Sequence, residues 1–270
     1  MADYACCAHH FCQFFYMKKN FSLISCLTAI LIMGTSACGH KSKNVESTPE
    51  PAPAPVVTID TSNRGLIIYY PPTDSIELRC FDRPDPKLDN SIVFCCAAAF
   101  TADWKTEPSH ERIQGDHVSR GTFYQRPRLK RNTGAFFVRD DGRFAFLYSP
   151  VANQETFRPV FEHASTAFTQ EMMIHHGERM KTTRPGNNVN EFRALCLIGH
   201  RLCIADASEA MWFETFIQLL LNAGATEALY LDMGPGWNYS WYREYADSNA
   251  TWIHSATLSS ATNWLVFRRK

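Results

Sequence analysis

The sequence lacks an excess of charge of either sign: lysine and arginine total 27, and so do aspartate and glutamate. Without a basic surplus there is no general field that attracts nucleic acid, so a nucleic-acid partner is not expected. Glycine and proline are ordinary in number, at 13 and 14, which excludes the collagen-like and low-complexity classes. Because 45% of the 270 residues are apolar, the chain can bury a sizeable core and is not disordered as a whole.

The N-terminal apolar run is too short for a permanent transmembrane helix. It follows Lys18 and Lys19 and extends over residues 21–33, which as a helix is about 20 Å, whereas the hydrocarbon core of a bilayer is about 30 Å thick. A basic start, a short apolar run and small residues are typical of a signal peptide for export. The small residues end at Cys38, and this arrangement resembles the lipobox of bacterial lipoproteins, in which the cysteine is lipidated.

The segments before the folded domain can be divided on composition. Thr35 stands where a lipobox usually has leucine, so secretion without a lipid remains the alternative. Proline recurs at every second position from Pro49 to Pro55, which favours an extended polyproline II linker. We predict an upstream extension and lipoprotein-type signal peptide over 1–38, a Pro-rich linker over 39–56 and one domain over 57–270. The expected location is the cell envelope, periplasmic or at the cell surface, with a membrane anchor at Cys38.

Cysteine spacing typical of structural zinc is absent. Five of the ten cysteines lie in the first 38 residues, and the other five form no CxxC or Cys/His motif. His175 and His176 are adjacent in an apolar run, and strand alternation is expected to send them to opposite faces, which makes a joint metal site improbable. We therefore expect no metal site and no cofactor, although His175 is a candidate for the lining of a cleft.

Runs of β-branched and aromatic residues predict short strands over 66–70, 76–80 and 92–100. A turn at Gly142 is expected to join strands at 136–138 and 144–148, and a Gly199-His200 turn to form a second hairpin. The second hairpin places Cys196 opposite Cys203, where a disulfide and two buried thiols are both open.

A helix is predicted between Ser208, as its N-cap, and Gly224, just past its end. An apolar strand over 227–232 follows it and completes a βαβ-like unit. The predicted fold class is α+β: a single domain with a mixed, mostly antiparallel sheet, β-hairpins and few helices.

A carboxylate closes the strand that follows this helix. Asp232 precedes Met233 and two nearby glycines, at the kind of sheet edge where ligands commonly bind. An aromatic run over 237–242 comes next. Its rings can stack on sugars while asparagine and serine meet hydroxyls, or they can simply pack a strand.

Several of these segments together resemble the phosphodiester glycosidase domain family. The resemblance rests on Arg193–Leu197, Leu202–Asp206, the helix ending at Gly224, and Ala228–Gly234. Upstream, residues 132–136 are similar to the family's Gly-Asn-Phe segment. Ala97–Ala99 stand where members often have Asn-Gly-Gly, and Met233 replaces one glycine of an Asp-Gly-Gly signature. The resemblance implies an enzyme that cleaves a sugar from a phosphodiester-linked glycan.

That chemistry requires groups that hold the departing phosphate and a group that delivers water or a carboxylate to the anomeric carbon. The catalytic candidates are Asp232 as nucleophile or base, Arg193 as phosphate ligand, and the pair Asp116 and His117, of which His117 has a purely structural loop role as its alternative. The candidates for substrate binding are Arg131, Asn132, His175, Gly234, Gly236, Trp237, Asn238 and Trp241.

Two function classes follow from these residues. The first is an exported hydrolase that acts on a carbohydrate or glycan-phosphate substrate. The alternative is a non-catalytic glycan-binding envelope lipoprotein, in which the alanines at 97–99 and Met233 record a lost activity while the aromatic run still holds sugar.

Overall fold

Short strands joined by tight turns build most of the molecule. The computed structural model describes residues 53–101, 113–126, 133–149, 156–182, 184, 188–234, 238–255 and 263–270. In these residues it has eighteen strands and two helices. The strands are β1 Thr58–Asp60, β2 Leu66–Tyr70, β3 Ser75–Cys80, β4 Ile92–Ala97, β5 His117–Ser119, β6 Thr122–Tyr124, β7 Thr133–Arg139, β8 Phe144–Ser149, β9 Ala164–His175, β10 Glu178–Arg179, β11 Val189–Asn190, β12 Arg193–Ile198, β13 Arg201–Ala207, β14 Met211–Trp212, β15 Ala225–Leu231, β16 Ser240–Tyr242, β17 Thr251–His254 and β18 Asn263–Arg268. The helices are α1 Arg158–Phe161 and α2 Phe213–Asn222.

The strands form one large sheet, one small sheet and a separate pair of strands, β11 and β14. The large sheet has the order β1-β2-β13-β12-β15-β9-β5-β6, with β7, β8 and β10 attached through β9. The small sheet has the order β17-β16-β4-β18-β3. Each strand pairing that the described residues make is antiparallel. The predicted α+β fold with mostly antiparallel sheets, hairpins and few helices is confirmed.

Apolar side chains on the two faces of the large sheet make separate cores. One face packs against the small sheet, with Phe94 and Phe267 meeting Leu195 and Leu229. The other face is covered by α2, which contributes the buried residues Phe213, Phe216, Ile217 and Leu220. The result is a layered arrangement of helix, large sheet and small sheet, as expected for elements that each have an apolar face to bury.

The hairpin of β12 and β13 has the register that its turn residues predict. Gly199 and His200 both have positive φ, at 53° and 66°, as a two-residue type I′ turn requires. Cys196 lies opposite Cys203 as predicted. Both are free thiols, and the Cys203 sulfur approaches the Cys196 carbonyl oxygen at 3.6 Å.

The predicted helix ends as expected but starts later. Gly224 follows the last helical turn with φ 84°. The start lies at Phe213 instead of near Ser208, because Met211 and Trp212 form β14 and pair with β11. The βαβ-like unit is present in modified form: β13 and β15 run in the same direction on either side of α2 in sequence, but antiparallel β12 lies between them.

The predictions for the signal peptide, Cys38 and most of the linker fall outside the described residues. In the part of the chain that the structure describes, no helix is long and apolar enough to cross a membrane.

Candidate active site

The long strand β9 changes its partner at Glu171. Strand β7 pairs with β9 as far as Glu171, and β15 pairs with it from Met172 onward, with an irregularity in register after Ala228. Glu171 is fully buried in a strand that is otherwise mostly apolar. Because a buried carboxylate needs a charge or hydrogen-bonding partner, its position indicates a site.

Asp232 lies directly after β15 and is only 7% exposed. Its backbone N–H donates to the Ala98 carbonyl oxygen at 2.9 Å, and its Oδ1 accepts from the Gly234 N–H at 3.1 Å. Burial raises the pKa of Asp232 to about 6, against the opposing effects of the backbone N–H groups of Gly234 and Thr101 and the positive charge of Arg184. A carboxyl group that titrates near neutrality suits acid or base chemistry.

Arg184 connects the two carboxylates. Its Nε donates to Glu171 Oε2 at 3.0 Å, and its charge stabilises the ionised form of Asp232. The guanidinium lies over the ring of Tyr230 at 4.0 Å and near that of Phe213 at 4.7 Å, a favourable stacking geometry. Among the described residues, no hydrogen-bond partner is present for its Nη2. The region around Arg184 therefore combines two buried carboxylates with a guanidinium whose Nη2 group is not hydrogen-bonded within the described residues.

Two of the segments that carry the family resemblance, the residues after β4 and the start of β7, contact Asp232 or pack against β15. The end of β4 touches Asp232 through Ala98, and Ala99 is held by both amide atoms of Asn263. In β7, Gly134 lies so close to β9 and β15 that an added Cβ would be 2.5 Å from Met172 Cε and 3.0 Å from Leu229 Cδ1. Glycine is required at this position because any side chain would collide.

The structure does not bring Arg193 to Asp232, which corrects the prediction that the two act together. Arg193 lies directly opposite Leu231 in the β12–β15 ladder, so alternation directs it to the face of Leu231, toward the small sheet. It is fully buried and donates to both carboxylate oxygens of Asp206 at 2.6 Å. Burial alone would lower the pKa of Arg193, but the Asp206 carboxylate outweighs it and raises that pKa.

Asp116 and His117 lie at the start of β5, which pairs with β9 near Phe168, away from Glu171. Asp116 accepts a bond from the Arg126 N–H at 2.8 Å, and burial raises its pKa. His117 stacks on Tyr124 with ring centroids 5.0 Å apart, and its Nδ1 lies 3.2 Å from the Gly115 carbonyl oxygen. Burial lowers the pKa of His117 to about 4. These are the contacts of a neutral, packed histidine, and no bond between the described residues joins it to Asp232.

The proposed sugar-binding residues are also placed differently. Trp241 is fully buried and packs with Tyr239 and Trp264 on the outer face of the small sheet, so it cannot meet a ligand. Asn238 is half-buried next to Tyr239, and its carbonyl oxygen accepts from the Ser240 hydroxyl at 3.3 Å. The Gly234 N–H holds Asp232 instead of standing free for a phosphate. Arg131, Asn132, Gly236 and Trp237 lie outside the described residues.

His175 lies at the wrong end of β15 to line this site. Its Nδ1 is 2.9 Å from Glu227 Oε2, and five residues separate Glu227 from Asp232, which is about 16 Å of strand. The prediction that His175 and His176 point to opposite faces is also wrong. Their ring centroids are 3.9 Å apart, because β9 ends at His175 and His176 occupies a turn with φ 53°.

Sequence analysis missed Glu171 and Arg184. The sequence does contain a signal for Glu171, because Gln170 and Glu171 interrupt an apolar run that reads as a buried strand. Charged residues are rarely buried without a partner. Arg184 lies thirteen residues further on and belongs to no helix or strand, and no local sequence pattern marks it.

Comparisons with known proteins agree on the fold. The chain is similar in structure to the catalytic domain of zebrafish N-acetylglucosamine-1-phosphodiester alpha-N-acetylglucosaminidase, a domain described as auto-inhibited by its pro-peptide, with a TM-score of 0.54 and 13% identity over 79% of this chain and 82% of that one. It is also similar to a hypothetical protein from Synechocystis, with a TM-score of 0.51 and 12% identity over 79% of this chain and 61% of that one. Comparison with family models and with curated protein sequences found no match. The chain therefore has a phosphodiester glycosidase-like fold.

Proposed function

We propose that the protein is an exported hydrolase that cleaves a sugar from a phosphodiester-linked glycan. The observation that carries the proposal is the buried Asp232, with its pKa raised to about 6, beside the partly bonded guanidinium of Arg184. The fold that the chain shares with a glycosidase acting on such a bond supports this substrate class.

The three charged residues are assigned separate roles. Asp232 acts as the base or nucleophile at the anomeric carbon, since a phosphate leaves as an anion and needs little help from an acid. Arg184 binds the anionic leaving group through the donor that Glu171 does not use. Glu171 fixes the orientation of that guanidinium and lies at the change of partner in β9.

The test is hydrolysis of a panel of N-acetylglucosaminyl phosphodiesters by the wild type and by Asp232→Asn. Turnover should fall at least about 100-fold in the variant, the size expected when a catalytic acid or base is removed. In the wild type, kcat/KM should fall as the pH drops through about 6, because the carboxyl group must be ionised to act.

Asp247→Asn is the matched control, since the Asp247 side chain is 90% exposed and pairs only at the surface with Arg269. It should keep full activity. Equal turnover by Asp232→Asn and Asp247→Asn would remove Asp232 from the mechanism, and hydrolysis of no member of the panel would end the enzymatic proposal.

One observation favours the alternative, a glycan-binding protein without activity. A cavity of about 1030 Å³ is lined by Arg83, Tyr239, Arg243 and Trp252 among others, and Asp232 is not among its lining residues. Trp252 is 45% exposed and meets Tyr239 edge to face at 5.2 Å, so an aromatic surface with polar neighbours is open to a sugar. Glycan-array binding that is lost in Trp252→Ala but unchanged in Asp232→Asn would select this alternative.

Export and lipid anchoring are part of the proposal. They rest on the basic start, the short apolar run and Cys38. Mass spectrometry of the protein recovered from membranes should find a lipid on Cys38, and Cys38→Ser should release the protein in soluble form. If Cys38 is recovered without a lipid, the lipid anchor is excluded and only the proposal of secretion remains.

A further inference from the structure

A second cluster of ionisable groups lies at the opposite end of β15 from Asp232. It consists of His175, His176 and Glu227, and we call it the histidine cluster. One ligand atom from each of these residues lies within 4.8 Å of the others. The hydrolysis proposed above gives none of the three residues a role.

The backbone brings both imidazoles to the same carboxylate. His175 ends β9 and lies opposite Glu227 in the ladder with β15. His176 and Gly177, with φ 53° and 78°, form the two-residue turn into β10, and the turn folds the second ring back over the first. The His176 N–H donates to Glu227 Oε1 at 3.2 Å, which holds the carboxylate beside both rings.

The distances are close to those of ligands around one small cation, although the shorter one must lengthen by about 0.4 Å. His175 Nδ1 lies 2.9 Å from Glu227 Oε2, and His176 Nδ1 lies 3.4 Å from Glu227 Oε1. In a tetrahedral site with bonds of about 2.0–2.2 Å, neighbouring ligand atoms are about 3.3–3.5 Å apart. The cluster thus needs only small side-chain rotations to surround an ion.

The donor set determines the class of ion. Two imidazole nitrogens and one carboxylate oxygen suit zinc and its neighbours among the divalent transition metals, whereas magnesium and calcium prefer oxygen ligands alone. The His176 side chain is 80% exposed while those of His175 and Glu227 are 20% and 10% exposed. An ion can therefore enter from the solvent side and keep a water molecule in the fourth position.

We propose that the histidine cluster is a zinc-binding site with three protein ligands, His175, His176 and Glu227, and one open position. On binding, Zn²⁺ takes the place of the hydrogen between His175 Nδ1 and the carboxylate, and the single ring proton of the neutral imidazole moves to Nε2. Because the site is about 16 Å along β15 from Asp232, it is independent of the proposed hydrolase site.

The chain offers a matched control in His200. His200 also occupies a two-residue hairpin turn with positive φ, at 66°, and it is exposed. In the part of the chain that the structure describes, it belongs to no group of metal-ligating residues. Asparagine tolerates positive φ, so His176→Asn and His200→Asn remove one imidazole each and leave the turns intact.

The experiment is calorimetric titration of the metal-free full chain, without an affinity tag, with ZnCl₂. The wild type should bind one equivalent of Zn²⁺. The His176→Asn and Glu227→Gln variants should bind Zn²⁺ at least about 10-fold more weakly, since the loss of even an outer-shell partner weakens metal binding by about 10- to 100-fold. His200→Asn should match the wild type. Titration with Co²⁺ gives a second readout, an absorption band typical of nitrogen and oxygen ligands that His176→Asn should lack.

Equal affinities in the wild type and in His176→Asn would overturn the proposal, as would an equal loss in His200→Asn. In either case the three residues form only a hydrogen-bonded cluster and not a metal site. Neither result depends on turnover of a phosphodiester, so failure here is separate from failure of the hydrolase.

Discussion

Two arginines near the end of β15 are each bonded to a carboxylate but differ in their exposure to solvent, with the Arg193 side chain 0% and the Arg184 side chain 10% exposed. Arg193 donates two short bonds of 2.6 Å to both oxygens of Asp206. Arg184 donates one bond of 3.0 Å to Glu171, and in the described part of the chain its Nη2 has no partner. Among the described residues each guanidinium keeps one buried terminal nitrogen without a hydrogen-bond partner, Nη1 in Arg193 and Nη2 in Arg184, so unsatisfied donors do not distinguish the two arginines.

Their surroundings differ in the same sense. Arg193 is sealed between the two sheets, where its charge acts on Tyr69 and Cys96. Arg184 lies on the side of α2 over Tyr230, and its side chain is 10% exposed. An arginine in a motif that resembles the family's is therefore not necessarily the arginine that a substrate can reach. Because both guanidinium groups have a nitrogen that is unpartnered within the described residues, access from solvent decides which one can bind an anion.

The largest expected effect is the loss of stability on breaking the sealed pair. Arg193→Met leaves the Asp206 carboxylate buried without its partner, which should lower the free energy of unfolding by about 3–5 kcal/mol. Urea denaturation followed by circular dichroism measures the change.

The double variant Arg193→Met with Asp206→Leu is the control for this prediction. Replacing both charges by apolar groups removes the uncompensated carboxylate, so most of the lost stability should return. If the double variant is as unstable as the single one, the cost arises from packing and not from the unpaired charge.

The next largest expected effect is the pH-dependent contribution of Asp232 to the stability of the fold. Its pKa is raised from 3.8 to about 6 in the folded protein, so the folded state holds its proton more tightly than the unfolded state. The stability that this protonation provides is present below pH 3.8 and is lost as the pH rises through about 6. At pH 8 the ionised carboxylate therefore destabilises the fold by about 3 kcal/mol.

Asp232→Asn should consequently stabilise the protein at pH 8 by up to about 3 kcal/mol and have little effect at pH 4. Chemical denaturation of both proteins at the two pH values measures this. A variant that is less stable than the wild type at pH 8 would show that the Gly234 and Thr101 N–H bonds outweigh the burial of the charge.

Local chemistry made part of this structure predictable. The Gly199-His200 turn determines the pairing of Cys196 with Cys203, because positive φ at both residues permits only one tight hairpin. Likewise, a buried helix followed by an apolar run was enough to place Asp232 at a strand end. In both cases the determining residues are close together in sequence.

The rest depends on pairings between distant segments. The face of Arg193 follows from its register opposite Leu231, 38 residues away, and no local pattern specifies that register. Glu171 stands out as a carboxylate in an apolar strand, but its meaning requires Arg184 and the partner change in β9. The alternation argument for His175 and His176 failed because it assumed that β9 continues past His175.

The smallest effect sharpens the comparison of the two arginines. Arg184→Met removes one charged hydrogen bond of 3.0 Å, whereas Arg193→Met removes two of 2.6 Å, so the free energy of unfolding should fall by less, by about 1.5–3 kcal/mol. The loss of positive charge should also raise the pKa of Asp232, because Arg184 now favours the ionised form. In a hydrolysis assay the acid limb of the pH profile should move to higher pH in Arg184→Met and stay in place in the exposed control Arg179→Met. An unchanged acid limb in Arg184→Met would mean that the guanidinium does not act on Asp232, and the two arginines would then both be structural.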